Sequence, residues 1–255
     1  MTLISQDADS KTQGRLSDRV CVSIYGRSIL ELGKNVKRAL AFDPGFVEIR
    51  LDYLPAITEK IQELAQMDNP GNLIQTYRSN REGGISRVSD ENRRRILLEL
   101  ISKTNPAIMD IEIETLESFP DVANSVSRRL TSMGNLGLIA SSHNFQKTEE
   151  REILEKLVLD AAKKYAPKIV KVVRHANQFS DNLVLLSLYR LREKIHPTEL
   201  IAFCTGSLGI FSRISCVTYG SPFTFASLPD RRTAPGQLDI KAMKTLLDSW
   251  TVVRK

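Results

Sequence analysis

Lys168-Ile-Val-Lys-Val-Val173 is a short apolar run with an ammonium group set inside it. Apart from the lysines it reads as a fully buried strand of a parallel sheet. Side chains alternate across a strand, so Lys171 shares a face with Ile169 and Val173, near the carboxyl end where α/β enzymes hold their chemistry. Lys168 follows Pro167 at the strand's entry and reaches water more easily. Desolvation disfavours a charged amine, which is how a lysine becomes a nucleophile able to form a Schiff base with a carbonyl. A lysine that snorkels or pairs with a carboxylate is the plainer alternative.

Outward from this run, seven more apolar, β-rich stretches are expected as strands: residues 19–25, 46–51, 73–77, 108–113, 136–141, 200–205 and 214–219. Segments of helical periodicity lie between most of them, with Thr58, Ser89-Asp90, Thr148 and Ser180-Asp181 as cap-like residues. Alternation of this kind leaves two architectures, a closed (β/α)8 barrel and an open doubly wound sheet. Eight strands favour an α/β fold of the TIM-barrel type. No GxGxxG follows the first strand, where Tyr25-Gly-Arg-Ser28 is a poor substitute, so a dinucleotide site is not expected.

At 255 residues without a sharp change in composition, the chain is read as one domain. Residues 19–255 are assigned to the barrel, and residues 1–18 to an N-terminal segment that is mobile or forms a strand pair closing the barrel floor. The formal charge of +6, with 36 basic and 30 acidic residues interspersed, suits an anionic small substrate better than nucleic acid, for there is no basic tail or aromatic-studded groove. Cys21, Cys204 and Cys216 lack metal-site or disulfide spacing, and no apolar run approaches membrane-spanning length. A soluble, cytoplasmic protein that does not engage a membrane is expected.

In a barrel, the polar residues at the strands' carboxyl ends converge. Here they are Ser23; Glu48, Arg50 and Asp52; Arg78 with Glu82 close behind; His143; Lys171; and, in the last loops, Arg213, Ser221 and Gln237. Guanidinium groups beside a Schiff-base lysine suggest a substrate that bears both a carboxylate and a ketone. Plainer readings exist. Glu48, Arg50 and Asp52 could pair among themselves on an alternating strand, and His143 could be a satisfied loop histidine. The segment Gly206-Ser-Leu-Gly209 could cradle phosphate or simply make a tight turn.

Several motifs together resemble the type I 3-dehydroquinate dehydratases: Val47-Glu-Ile-Arg-Leu-Asp-Tyr53, Thr76-Tyr-Arg-Ser-Asn-Arg-Glu-Gly-Gly84, Met109-Asp-Ile-Glu112, Ser141-Ser-His-Asn-Phe145, Ile169-Val-Lys-Val172, Gly206-Ser-Leu-Gly-Ile-Phe-Ser-Arg213 and Ala234-Pro-Gly-Gln237. The resemblance implies dehydration of 3-dehydroquinate to 3-dehydroshikimate, the third step of the shikimate route, without metal or organic cofactor. It implies Lys171 as the Schiff-base lysine, His143 as general acid/base and Glu82 as the carboxylate that holds the histidine. It places Ser23, Glu48, Arg50, Arg78, Arg213, Ser221, Thr233 and Gln237 on the substrate, with the 234–237 loop closing over it. By analogy it also implies a homodimer. Arg174-His175 depart from the family, where small or apolar residues are commoner after the lysine. The alternative is another lysine-dependent barrel enzyme, an aldolase or transaldolase, with the 206–209 segment on phosphate.

Overall fold

The computed structural model describes residues 15–67, 71–133 and 136–252. Among the described residues there are eight strands: β1 Val20–Tyr25, β2 Phe46–Arg50, β3 Leu73–Thr76, β4 Ile108–Glu112, β5 Gly137–Asn144, β6 Ile169–His175, β7 Glu199–Thr205 and β8 Thr224–Ser227. All registered pairs are parallel, and the order is β7-β6-β5-β4-β3-β2-β1-β8. No ladder joins β7 to β8. Side chains bridge that seam instead, with the Phe203 and Phe225 ring centroids 6.1 Å apart. The result is a nearly closed (β/α)8 TIM barrel in a single domain.

The helices are α1 Ile29–Leu40, α2 Ile57–Ala65, α3 Asp90–Lys103, α4 Ile113–Ser118, α5 Pro120–Met133, α6 Arg151–Tyr165, α7 Asp181–Ser187, α8 Arg192–Ile195, α9 Ile210–Ser215 and α10 Ile240–Val252. α1, α2, α3 and α6 form because each presents apolar residues at helical spacing to the outside of the barrel. In α3, Ile96, Leu97, Leu100 and Ile101 are buried while the other face carries charge. Ser89 caps α3 as expected, accepting the Asn92 N–H at 3.3 Å. Thr58 and Thr148 are not caps: α2 starts after Ala56, and the Thr148 hydroxyl donates to the His175 carbonyl at 2.9 Å.

Seven of the eight expected strands are present, and one is corrected. The run 214–219 belongs to the end of α9 and to a 3-10 turn, Cys216–Tyr219, because Ser212, Arg213, Ser215, Cys216 and Val217 are buried at helical rather than alternating spacing. The eighth strand is instead Thr224-Phe-Ala-Ser227, four residues long, which pairs with β1. The Gly220-Ser-Pro222 segment therefore precedes a strand instead of following one. Of the N-terminal segment, Leu16–Asp18 forms a 3-10 turn rather than a strand. The rest of the proposed strand pair lies outside the described residues.

Candidate active site

A cavity of about 310 Å³ opens at the carboxyl ends of the strands, large enough for a small organic acid. It is lined by Ser23 of β1, Glu48 and Arg50 of β2, Arg78 and Glu82 after β3, His143 of β5, Lys171 of β6, Arg213 of α9, and Thr233 and Gln237 of the last loop. Ser221 is the exception. It stands before β8, at the other end of the barrel, and its hydroxyl donates to the Phe223 carbonyl at 2.8 Å. The misplaced eighth strand explains that correction, since it put residue 221 just past a strand end.

Lys171 is 4% exposed, and its Nζ is not alone. It donates to Asp110 Oδ2 at 3.0 Å, stands 3.9 Å from Glu48 Oε1, and lies over the Phe225 ring at 4.1 Å from the centroid. The buried charge is thus compensated as burial demands. Lys171 thus pairs with a carboxylate and also faces the cavity. Asp110 also accepts from Arg78 at 2.7 Å and from the Ser141 hydroxyl at 2.6 Å. Burial alone would raise its carboxyl, but Arg78 and Lys171 outweigh burial and hold it well below the usual carboxylate range.

Glu82 Oε2 accepts the backbone N–H of His143 at 2.9 Å and lies 2.8 Å from its Nδ1. Burial, reinforced by Glu112 and Asp110, pushes Glu82 up to about 8 despite Arg78 nearby. The His143 imidazole goes well below its ordinary value. Burial is the main cause, followed by the positive charges of Arg78, Lys171, Arg174 and Arg50. Burial therefore favours the carboxylic acid form of Glu82 and the uncharged form of the His143 imidazole. Arg78 opposes the shift of Glu82 only in part, because its guanidinium stands 3.9 Å from Glu82 while lying closer to Asp110 and Glu112.

Two of the cavity's arginines are already engaged. Arg50 forks onto Asp52 at 2.8 and 2.9 Å, and Arg78 is surrounded by Asp110, Glu112 and Glu82. Arg213 is different. It is 2% exposed, and neither its Nε nor one of its terminal nitrogens has a protein hydrogen-bond partner among the described residues. Burial lowers its guanidinium to about 10 with no carboxylate to oppose the shift, and the guanidinium lies over the Phe203 ring, 4.6 Å from its centroid. A buried, unpaired guanidinium at a cavity wall calls for an anion.

The last loop closes one side. Gln237 Oε1 accepts from the Thr233 N–H at 2.8 Å and from its hydroxyl at 3.0 Å. Gly236 has φ +67°, and a Cβ there would stand 2.3 Å from the Gly206 carbonyl oxygen, so only glycine lets the loop seat. The glycines of the 206–209 segment serve packing: a Cβ at Gly206 would meet the His175 ring, and one at Gly209 the Thr205 carbonyl.

Asp110 and Glu112 had no assigned role in the sequence. The signal was present in Met109-Asp-Ile-Glu112, where two carboxylates sit two apart on one face of a buried strand and so require cations inside the barrel.

The sequence model of the family described as type I 3-dehydroquinase matches residues 20–252. A 3-dehydroquinate dehydratase of Thermococcus onnurineus is 32% identical over 222 residues, covering 85% of this chain and 94% of that protein. One from Dehalococcoides mccartyi is 37% identical over 200 residues, 78% and 82% of the two chains. Among solved structures, a type I 3-dehydroquinate dehydratase of Clostridium difficile superposes with a TM-score of 0.79 at 22% identity over 94% of both chains, which speaks to the fold. The enzyme of Aquifex aeolicus gives 0.69 at 26% identity, covering 91% of this chain and 98% of that one. With its match spanning nearly the whole barrel, this chain belongs to the type I 3-dehydroquinase family.

Proposed function

We propose that this enzyme dehydrates 3-dehydroquinate to 3-dehydroshikimate, in the shikimate pathway, through a Schiff base on Lys171. The observation that carries the reading is the unpartnered Arg213 on the same cavity as Lys171 and His143: one group for a carboxylate, one for a ketone, one for a proton. Arg213 binds the substrate carboxylate. Glu48, Arg78, Arg50, Ser23, Thr233 and Gln237 hold the ring and its hydroxyls, and the 234–237 loop excludes water from the imine.

Lys171 Nζ, uncharged after passing a proton to water, adds to the C3 ketone, and the carbinolamine oxygen takes a proton back and leaves as water, giving a protonated imine. The imine draws electrons from the neighbouring C2–H bond, whose proton passes to His143. The electron pair forms an enamine, the C1 hydroxyl leaves as water with the proton that His143 returns, and hydrolysis frees the product and the amine. Abstraction and return on one imidazole suit a syn elimination. Asp110 beside Nζ supplies a negative charge for the imine that Lys171 would become.

An aldolase or transaldolase would need a phosphate site. The glycines of residues 206–209 face protein rather than open space, which favours the dehydratase reading. We further propose residues 19–255 as the catalytic barrel, a homodimer by analogy with the family, and a cytoplasmic location. The three cysteines, buried and unpaired, suit a reducing compartment, and among the described residues no helix is long and apolar enough to cross a membrane.

The test is turnover. The product is a conjugated enone, so ultraviolet absorbance should grow on mixing enzyme with 3-dehydroquinate, and Lys171→Ala should abolish it. No absorbance change with the wild type would overturn the reading.

A further inference from the structure

Arg174 is a charged residue of β6 that the proposed reaction does not use. Lys171 and Val173 line the cavity, and strand alternation turns Arg174 the other way, outside the barrel wall. It is nevertheless 3% exposed. Its Nε donates to Glu149 Oε2 at 2.5 Å, one terminal nitrogen donates to the carbonyls of Ser142 and Val173 at 2.8 and 2.9 Å, and the other reaches the Ser142 hydroxyl at 3.1 Å. The second oxygen of Glu149 accepts from the Asn144 amide at 2.9 Å. The Asn144 side-chain oxygen in turn accepts the Gln146 and Lys147 N–H groups at 2.9 and 3.3 Å.

Ser142 and Asn144 are the two neighbours of His143. One guanidinium therefore gathers both flanks of that residue, together with the turn that carries Phe145. The Phe145 ring lies 6.1 Å from the imidazole at an interplanar angle of 12°, and it fills the space where a Cβ on Gly83 would stand. The ladder between β5 and β6 continues through His143 opposite Val173 and Asn144 opposite Arg174, so the clamp closes on the last rung. A planar fork suits this task because each nitrogen is directed at a different partner.

We infer that Arg174 is a positioning residue: from outside the barrel it fixes the carboxyl end of β5 so that the His143 ring stands where it can exchange a proton with substrate. This rests on the reading of His143 as the acid/base. The charges facing His143 from inside are those of Arg78, Lys171 and Arg50, with Glu82 on its Nδ1. Arg174 adds its positive charge from behind, in the direction that keeps the imidazole uncharged.

The test uses Arg174→Met, which keeps bulk and loses the fork, and Glu149→Gln, a milder change at a half-buried carboxylate. Because small misplacement of a reacting group costs up to about a hundredfold, Arg174→Met should lower kcat by roughly ten- to a hundredfold and Glu149→Gln by a few-fold. KM should stay within about twofold, since no cavity contact is lost. Borohydride capture of substrate on Lys171 should proceed at the wild-type rate, and deuterium at C2 should give a larger isotope effect than in the wild type as proton transfer becomes slow. Arg174→Lys should restore part of the loss. If both folded variants turn over at the wild-type rate, or if kcat and the capture rate fall in equal proportion, the positioning role is overturned. If Arg174→Met does not fold, Glu149→Gln decides by the same readouts. A wild type that neither turns over nor captures substrate would overturn the functional reading itself, and the role of Arg174 with it.

Discussion

Glu82 Oε2 meets His143 twice, at the backbone nitrogen and at Nδ1, so one buried oxygen fixes both the main chain and the ring of the same residue. Since the carboxyl titrates at about 8 and the imidazole stays uncharged, the pair gains or loses one proton near pH 8. Below that pH Glu82 carries the proton toward Nδ1, and the other ring nitrogen is a donor. Above it Nδ1 holds a proton, and the far nitrogen is a free base. The rate governed by kcat/KM should therefore rise with pH to a limb near 8. Glu82→Gln, which cannot take the charge, should move that limb to lower pH. A pH profile of both proteins checks this.

The same carboxyl predicts a stability effect. Its folded value of about 8 lies above the usual glutamate value, so the folded state binds the extra proton between roughly pH 4.5 and 8. The wild type should then lose stability as pH rises through that window. Glu82→Gln should flatten the dependence, as read by urea unfolding across pH.

Arg213→Met should weaken substrate and strengthen the fold. A hydrogen-bonded charge contact contributes about 1.5–3 kcal/mol, so KM should rise by roughly ten- to a hundredfold. The apo protein should melt no lower than the wild type, because a buried guanidinium without a protein partner disfavours folding. Steady-state kinetics and a thermal melt read the two effects separately.

Asp110→Asn should do the reverse, leaving Lys171 and Arg78 without a charge that both contact. Breaking one member of a buried ion network costs about 3–5 kcal/mol, to be measured by urea unfolding. Adding Lys171→Met should recover part of that loss, since one orphaned charge is then removed.

Gly236→Ala should impair closure of the last loop. Its positive φ and the close Gly206 carbonyl cost a side chain about 1–3 kcal/mol, so kcat/KM should fall roughly tenfold or more. Lys171 should still react with substrate when the loop is unseated.

Much of this architecture was legible in the sequence because strand and helix alternate with clear punctuation, and because Lys171 breaks an apolar run. The eighth strand was not. Ile214 to Tyr219 is apolar over a length that fits a strand or two helical turns, and the true strand is only Thr224–Ser227. That single displacement also moved Ser221 to the wrong end of the barrel. Asp110 was visible as a residue but not as the partner of Lys171, since the pairing joins β4 to β6 across the barrel interior. The upward shift of Glu82 depends on burial and on Glu112 and Asp110 around it, which no spacing along the chain records.

The proposed mechanism requires Lys171 to bond covalently to the substrate ketone. Incubating the enzyme with 3-dehydroquinate and borohydride, followed by peptide mass spectrometry, reads out that bond. A reduced adduct should appear on the peptide containing Lys171 and vanish in Lys171→Ala. An adduct that persists in that variant, or full turnover by the wild type with none formed, would contradict it.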